Sequence, residues 1–103
     1  MIITYSINGV PIRLTDERWN HILRRHPEMA GEKDKVIETI KQPHLVQEGD
    51  RGTLLAIRQY PQTSLTQKHV VVVYREVSTT DGFIITAYLA NRPAAWRKVL
   101  WKQ

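Results

Sequence analysis

Apolar and polar residues recur along the chain with two different periods, one typical of helices and the other of strands. Near the amino terminus, two short alternating runs flank Asn8-Gly9, a dipeptide that readily supplies positive φ in a tight hairpin turn. Thr15 follows and precedes Asp16 and Glu17, an arrangement that favours the start of a helix. This part of the chain therefore predicts a β-hairpin followed by a helix.

Helical spacing continues after the hairpin. Trp19, Ile22 and His26 recur on one face of the first predicted helix. Pro27 disfavours helical geometry at His26, so we expect this helix to end there. The stretch "EKDKVIETIKQ" predicts a second helix, which Pro43 closes.

Beyond the second helix the period changes to two. The runs "HLVQEG", "TLLAIRQY", "HVVVVYREV" and "FIITAYLA" are separated by turn-forming residues and predict an antiparallel four-stranded meander. The segment "NRPAAWRKVLWKQ" places Trp96, Val99 and Leu100 at helical spacing and predicts a short C-terminal helix. The predicted fold is α+β: an N-terminal hairpin, two helices, the meander and this last helix, with the helices packed on one sheet face.

The last strand of the meander, in "GFIITAYLANR", presents two different faces. Thr86 and Tyr88 lie on one face together with Ile84. The residues predicted to form the opposite, core face are Phe83, Ile85, Ala87 and Leu89. One face of this strand is therefore apolar and the other carries hydroxyl groups.

The second strand of the meander decides which other side chains share the open face of the sheet. If Leu55 and Ile57 point to the helices, Arg58 and Tyr60 point away from them. They would then lie on the same face as the hydroxyl groups of the last strand. A register slip of one residue would reverse this arrangement.

Length and composition predict one globular domain, residues 1–103. A chain of 103 residues with 42% hydrophobic residues can bury a single core. The absence of cysteine rules out disulfides, thiolate metal sites and a cysteine nucleophile, and it fits a reducing compartment such as the cytoplasm. The longest apolar run is far too short to span a bilayer, so we expect a cytoplasmic protein without a membrane segment.

The chain is basic, with 15 Lys and Arg against 10 Asp and Glu, a net charge of +5 and a sequence pI near 9.8. This charge favours a polyanionic partner through counterion release and electrostatic steering. A basic surface kept for solubility, or for an acidic protein partner, explains the charge equally well.

Known metal and nucleotide motifs are missing from the sequence. His21 and His26 are five positions apart, whereas a helical zinc pair needs a spacing of four. The sequence has no phosphate-binding glycine loop and no dinucleotide fingerprint. We therefore expect neither a metal site nor a cofactor.

The remaining polar residues match the needs of RNA cleavage without a metal. That reaction needs a group that moves protons between the 2′-hydroxyl and the 5′-oxygen, and donors that stabilise the phosphoryl oxygens. The residues that could supply these groups are His21, His26, Glu28, Arg58, Tyr60, Lys68, Tyr74, Arg75, Thr86 and Tyr88.

Each candidate also has an ordinary structural explanation. His21 fits an exposed helix residue, and His26 fits a buried or helix-terminal one. Arg58 fits a cross-strand salt bridge, and Thr86 is a common strand residue. Tyr60 and Tyr88 could stack on bases or simply cover the sheet.

Several segments, taken in order, resemble the small phage-associated nuclease-like domains of the barnase, EndoU, colicin and RelE-like (BECR-fold) group. They are "LTDERWNHILRRHPEM", "KQPHLV", "AIRQY", "HVVVVYRE" and "FIITAYL", from about Leu14 to Leu89. Their most specific parts are the W-x-H-I-x-x-x-H-P-E helix end and the I-T-A-Y strand. The resemblance implies two helices before a four-stranded antiparallel meander, and ribonuclease activity without a metal.

The resemblance also implies roles for particular residues. By motif position, His21 or His26 transfers the proton, Arg58 holds the phosphate and Thr86 completes the catalytic set, with Tyr88 beside it as a substrate contact. We predict that further substrate contacts come from Glu28, Tyr60, Lys68 and Arg75.

The implied partners are RNA and a small antitoxin protein, in a toxin–antitoxin pair or a conflict between phage and host. RelE-like toxins carry a denser array of Lys and Arg than this predicted open face. Domains that share a fold can also bind RNA without cutting it. A non-catalytic RNA-binding or protein-interaction module with a basic surface is therefore the alternative hypothesis.

Overall fold

The computed structural model describes residues 1–103 and shows one mixed β-sheet with two helices on one of its faces. The helices are α1, Asp16–Arg25, and α2, Lys33–Lys41. The strands are β1 (Ile2–Tyr5), β2 (Pro11–Leu14), β3 (Leu45–Glu48), β4 (Leu54–Gln59), β5 (His69–Ser78), β6 (Asp81–Ala90) and β7 (Val99–Lys102). The α+β class is confirmed, and neither helix is long and apolar enough to cross a bilayer.

The sheet has seven strands in the order β1-β2-β6-β5-β4-β3-β7. The predicted antiparallel meander is present as β3 to β6, but three further strands extend it. On one side β2 joins β6 in parallel, with Ile12 opposite Gly82 and Arg13 opposite Phe83. On the other side β7 pairs with β3. The sheet is therefore wider than predicted because both ends of the chain add to it.

The predicted N-terminal hairpin is confirmed, although its turn differs from the predicted one. The Ser6 carbonyl accepts a hydrogen bond from the Gly9 amide at 2.9 Å, and Gly9 has a φ of 74°. Asn8 does not have positive φ. The chain therefore uses a longer loop in which glycine alone takes the left-handed conformation.

Helix α1 begins and ends where the sequence predicts. The Thr15 hydroxyl accepts a hydrogen bond from the Arg18 amide at 3.0 Å and caps the first turn. The helix ends at Arg25, and His26 adopts a φ of −134° before Pro27. Residues Pro27–Met29 then form a short 3₁₀ turn.

The main hydrophobic core lies between the two helices and the sheet. Trp19 and Ile22 of α1 and Val36 and Ile40 of α2 are buried there. The sheet residues packed against them include Ile12, Leu14, Ala56, Val70, Val72, Tyr74, Ile84, Ala87 and Leu89. Burial of these apolar side chains stabilises the fold at roughly 25 cal/mol per Å² removed from water.

A β-bulge in β6 changes the predicted faces of the residues before Thr86: Ile84 is in the core, whereas Phe83 and Ile85, which were predicted there, are half-buried outside it. Val73 lies opposite Thr86 while the next residue, Tyr74, lies opposite Ile84, so Ile85 has no partner on β5. The extra residue shifts the alternation, and Ile84 joins the core on the helix side. Thr86 and Tyr88 remain on the other face, as predicted, but Ile84 is not with them.

The predicted orientation of β4 is wrong. Leu55 and Ile57 point away from the helices and form a small second cluster with Val71. Arg58 and Tyr60 lie on the helix side instead. The sequence could not decide between the two orientations, because β4 is apolar on both faces and a one-residue shift exchanges them.

The predicted C-terminal helix is also wrong. Residues 91–98 run across the second face of the sheet, and Val99–Lys102 form β7. The side-chain amide of Gln47 donates to the Ala94 carbonyl at 2.8 Å. The backbone amide of Glu48 donates to the Lys98 carbonyl at 2.9 Å. Pairing with the open edge of β3 overrides the helical spacing of the segment, because it satisfies backbone groups of both strands.

Candidate functional site

The candidate site lies where α1 covers one edge of β6. The strand β2 pairs with β6 only near its start, so the edge is free of strands from Ile85 onward. Arg18 crosses this edge, and its guanidinium donates to the Ile85 carbonyl at 3.4 Å. Helix α1 therefore lies along the edge and brings its C-terminal end close to Tyr88.

His26 is held firmly at that end of α1. Its amide donates to the Ile22 carbonyl at 2.7 Å, and its carbonyl accepts from the Met29 amide at 2.9 Å. Its ring centroid is 5.8 Å from that of Tyr88, with the ring planes inclined by 35°. The imidazole thus reaches around the sheet edge to the second face.

Glu28 faces the same imidazole. One carboxylate oxygen, Oε2, lies 3.5 Å from His26 Nδ1, and both side chains are mostly buried, at 22% and 32% exposure. A carboxylate at this position favours the tautomer that carries its proton on Nδ1. The other ring nitrogen, Nε2, makes no hydrogen bond to the protein and is free to exchange a proton.

Thr86 brings a hydroxyl group without a partner to the same strand face. Its Oγ1 is buried and makes no hydrogen bond. A buried polar group left unsatisfied costs about 1–3 kcal/mol, so such groups in folded proteins call for an explanation. A ligand that accepts a hydrogen bond from Thr86 would provide one.

Tyr88 adds a second hydroxyl donor. Burial raises the pKa of its phenol, and the positive charge of Arg97 offsets part of this effect. The phenol therefore stays protonated at neutral pH and can donate a hydrogen bond.

His21 lies apart from His26 and the strand hydroxyls, on the outer side of α1, although Arg18 is near both His21 and the β6 edge. It contributes to a shallow depression of about 230 Å³ that has no apolar residue in its lining. Partial burial and the nearby charges of Arg18, Arg24 and Arg25 lower the pKa of His21. The outer side of α1 is thus a cationic surface.

Arg58 and Tyr60 also lie away from the site, beside α2. Arg58 Nη1 donates to the Gln42 carbonyl at 2.6 Å, and its Nε is 3.5 Å from Glu38 Oε1. The Tyr60 hydroxyl donates to the same carboxylate at 2.7 Å, and burial together with this bond raises the pKa of Tyr60 to about 12. These contacts fix the end of α2 against the sheet.

The two other predicted substrate contacts lie elsewhere as well. Lys68 precedes β5 and accepts a hydrogen bond from the Tyr60 amide at 2.7 Å through its carbonyl. Arg75 donates to the Arg51 carbonyl at 2.7 Å, toward the far end of β5. Of the nine predicted residues, the structure brings together His26, Glu28, Thr86 and Tyr88.

A cavity of about 260 Å³ adjoins Tyr88 on the second sheet face, beneath the C-terminal segment. Its lining consists of Gln47, Leu55, Ile57, Val71, Tyr88, Ala90, Arg92, Pro93, Ala94, Trp96 and Arg97. The cavity continues the site, because the Tyr88 ring contacts His26 on one side and lines this space on the other.

Sequence reasoning missed three residues of the site. Arg18 precedes Ile22 and His26 by four and eight positions, a helical spacing that could have placed it near them. Gln47 and Arg97 carried no such indication, since they line one cavity only after the C-terminal segment has folded over the sheet.

Comparison with known proteins yields no family for this chain. No protein-family model, curated protein or solved structure gives a significant match. The structure also has no group of three or more His, Cys, Asp or Glu side chains that could hold a metal ion. The chemistry of the site is therefore argued from its own residues.

Proposed function

We propose that this chain is a metal-independent endoribonuclease in which His26 transfers the proton. The observation that carries the proposal is the pairing of His26 with Glu28 beside the hydroxyl groups of Thr86 and Tyr88. It combines an imidazole that can accept and return a proton, a carboxylate that orients it, and hydroxyl donors without partners. His26 fits this role better than His21, whose surroundings contain no such hydroxyl pair.

The reaction would begin with removal of the 2′-hydroxyl proton by His26 Nε2. The 2′-oxygen then attacks phosphorus, and the bond from phosphorus to the 5′-oxygen breaks. The imidazolium returns its proton to the departing 5′-oxygen, which leaves a 2′,3′-cyclic phosphate and a 5′-hydroxyl. Glu28 stabilises the imidazolium between these two proton transfers.

Three side chains of the site are suited to stabilise charge on the phosphoryl oxygens. Thr86 and Tyr88 donate from the strand, and Arg18 supplies a positive charge at the β6 edge. Fixed donors of this kind stabilise the transition state without reorganising during the reaction. We assign the phosphate contact to Arg18 rather than Arg58, because Arg18 contacts β6 next to Thr86, whereas Arg58 is bound to Gln42 and Glu38 beside α2.

The positive charge supports the proposed partners. A net charge of +5 attracts RNA and would equally attract an acidic inhibitor protein. A toxin held in check by a small antitoxin is the biological setting that we propose, on the strength of the sequence resemblance.

One observation favours a second candidate function, an RNA-binding module without catalysis. The outer side of α1 concentrates Arg18, Arg24 and Arg25 around His21, and their charges add to the effect of burial in lowering the pKa of His21. Such a surface can bind phosphates without cleaving them. The two functions differ in their products, so one experiment separates them.

The test is incubation of the protein with a mixed RNA pool in EDTA, followed by mapping of the product ends. We expect 2′,3′-cyclic phosphate ends from the native protein, and about a 10²–10⁴-fold slower reaction for His26→Ala. His21→Ala is the matched control, because it removes the same kind of side chain five residues earlier in the chain, and we expect native rates. Equal loss in both variants, or salt-sensitive RNA binding without products, would overturn the assignment in favour of the binding module.

A further inference from the structure

The cavity beneath the C-terminal segment has the mainly apolar lining that suits an aromatic ring. Leu55, Ile57 and Val71 of the sheet form an aliphatic floor, and Tyr88 closes one end. Pro93 of the covering segment lies on the other side. Apolar walls with a few fixed polar groups are typical of small-molecule sites, and they suit an aromatic base better than a charged group.

Gln47 supplies the polar group. Its side chain is almost completely buried, with the residue only 3% exposed, and it lines the cavity. The amide nitrogen donates to the Ala94 carbonyl at 2.8 Å, which fixes the orientation of the amide. The other amide atom, Oε1, is buried and accepts no hydrogen bond. The cavity therefore holds an oriented acceptor that a ligand with an N–H group would satisfy.

The rim of the cavity is positively charged. Arg97 stacks on Trp96, with its guanidinium carbon 4.1 Å from the ring centroid, and pairs with Asp50 at 3.1 Å. Arg92 is exposed and makes no ion pair. A ligand with a flat ring inside the cavity and a phosphate at its rim would meet complementary groups at both ends.

We propose that this cavity binds one base of the RNA strand beside the scissile phosphate, with Gln47 Oε1 accepting from an exocyclic amino group of the base. This inference rests on the proposed ribonuclease function, because Tyr88 forms both the cavity wall and the contact with His26. It adds to that function a preference for adenine, cytosine or guanine at one position of the substrate.

The test compares two ligands on the native protein by NMR titration. AMP carries the amino group, and purine riboside 5′-monophosphate is the same molecule without it. We expect AMP to shift the resonances of Tyr88, Ala90 and Trp96, and the analogue to bind about tenfold more weakly. Ribose 5-phosphate is the control for binding through the phosphate alone, and we expect it not to shift Ala90.

A variant assigns the difference to the proposed acceptor. Gln47→Met keeps the length of the side chain and removes Oε1, so we expect the two nucleotides to bind it equally. Gln62→Met, in an exposed loop, is the matched control and should keep the native preference. If Gln47→Met does not fold, the comparison of the two ligands on the native protein still decides the proposal.

Three outcomes would overturn the base site. They are equal binding of both nucleotides by the native protein, no binding of AMP at millimolar concentration, and shifts confined to the His21 side of α1. The titration measures ligand binding and needs no RNA cleavage, so its result is independent of catalysis. Cleavage without AMP binding would disprove the base site alone, and AMP binding without cleavage would disprove the nuclease activity alone.

Discussion

The guanidinium of Arg18 donates to the carbonyl of Ile85, which is the extra residue of the β6 bulge. The contact ties α1 to the point where the alternation of β6 shifts, one residue before Thr86. Without the bulge, Thr86 and Tyr88 would exchange faces with their neighbours. The bulge and the helix therefore place the hydroxyl groups and His26 on the same side of the sheet.

Two arginine variants should separate RNA cleavage from stability. We expect Arg18→Ala to slow RNA cleavage by about a hundredfold, the scale for loss of one transition-state donor. Arg58→Ala should leave cleavage unchanged but lower the free energy of unfolding by about 1–2 kcal/mol, because it removes a hydrogen bond to the Gln42 carbonyl. Cleavage assays and urea unfolding of both proteins make the comparison. Lost cleavage in a folded Arg58→Ala protein would show that Arg58 contacts the phosphate after all.

The Thr86 hydroxyl should be needed for RNA cleavage but not for the stability of the fold. Thr86→Val keeps the shape of the side chain and removes a buried hydroxyl that has no partner. We expect the free energy of unfolding to stay the same or rise by about 1 kcal/mol, while cleavage falls. Thr79→Val, in the exposed turn before β6, is the control and should alter neither quantity. A destabilised Thr86→Val protein would show that the hydroxyl has a structural partner.

Gly82 should be required for the parallel pairing of β2 with β6. A Cβ at this position would lie 2.5 Å from Ile12 Cδ1 and 2.6 Å from the Arg75 carbonyl oxygen. Because a backbone atom cannot move aside cheaply, we expect Gly82→Ala to cost about 1–3 kcal/mol of unfolding free energy. Amide hydrogen exchange should also become faster at Ile12 and Arg13. Native stability and native exchange in the variant would contradict this close packing.

Stability should fall in weak acid partly because of His44. Burial, followed by the charges of Arg58 and His69, lowers the pKa of His44 below 6.5. The unfolded chain therefore binds more protons than the folded one just below that pH, so this contribution is complete above about pH 6.5 and is lost as the pH falls.

NMR titration of His44 and urea unfolding at several pH values would measure this contribution. His44→Gln removes the ionisable group and should flatten the dependence of stability on pH. A His44 titration midpoint at or above 6.5 would contradict the prediction.

Local sequence features were sufficient for the first part of the fold. The cap at Thr15, the stop at Pro27 and the turn at Gly9 act through neighbouring backbone groups, and the structure has all three. Their effects need no distant contact, so a sequence read in short windows can find them.

The faces of the strands could not be predicted in the same way. Leu54 and Leu55 are equally apolar, and the choice between them depends on a C-terminal segment that covers the second face. The bulge at Ile85 has no local marker either. For the candidate site, the sequence indicated His26, Glu28, Thr86 and Tyr88, which lie close together in the structure. It also placed Arg58 with them, and that placement failed because the face of β4 was assigned wrongly.

The parallel pairing of β2 with β6 also affects the order in which the chain folds. It joins Ile12 to Gly82, so it closes a loop that contains both helices and most of the meander. Closing a long loop costs more entropy than forming neighbouring strand pairs, and we expect the hairpin to dock after the meander has formed. Since α1 follows directly on β2, we expect His26 to reach Tyr88 only at that last step. A partly folded chain would thus hold the strand hydroxyl groups in place but lack the imidazole, and it would acquire its chemistry only when folding is complete.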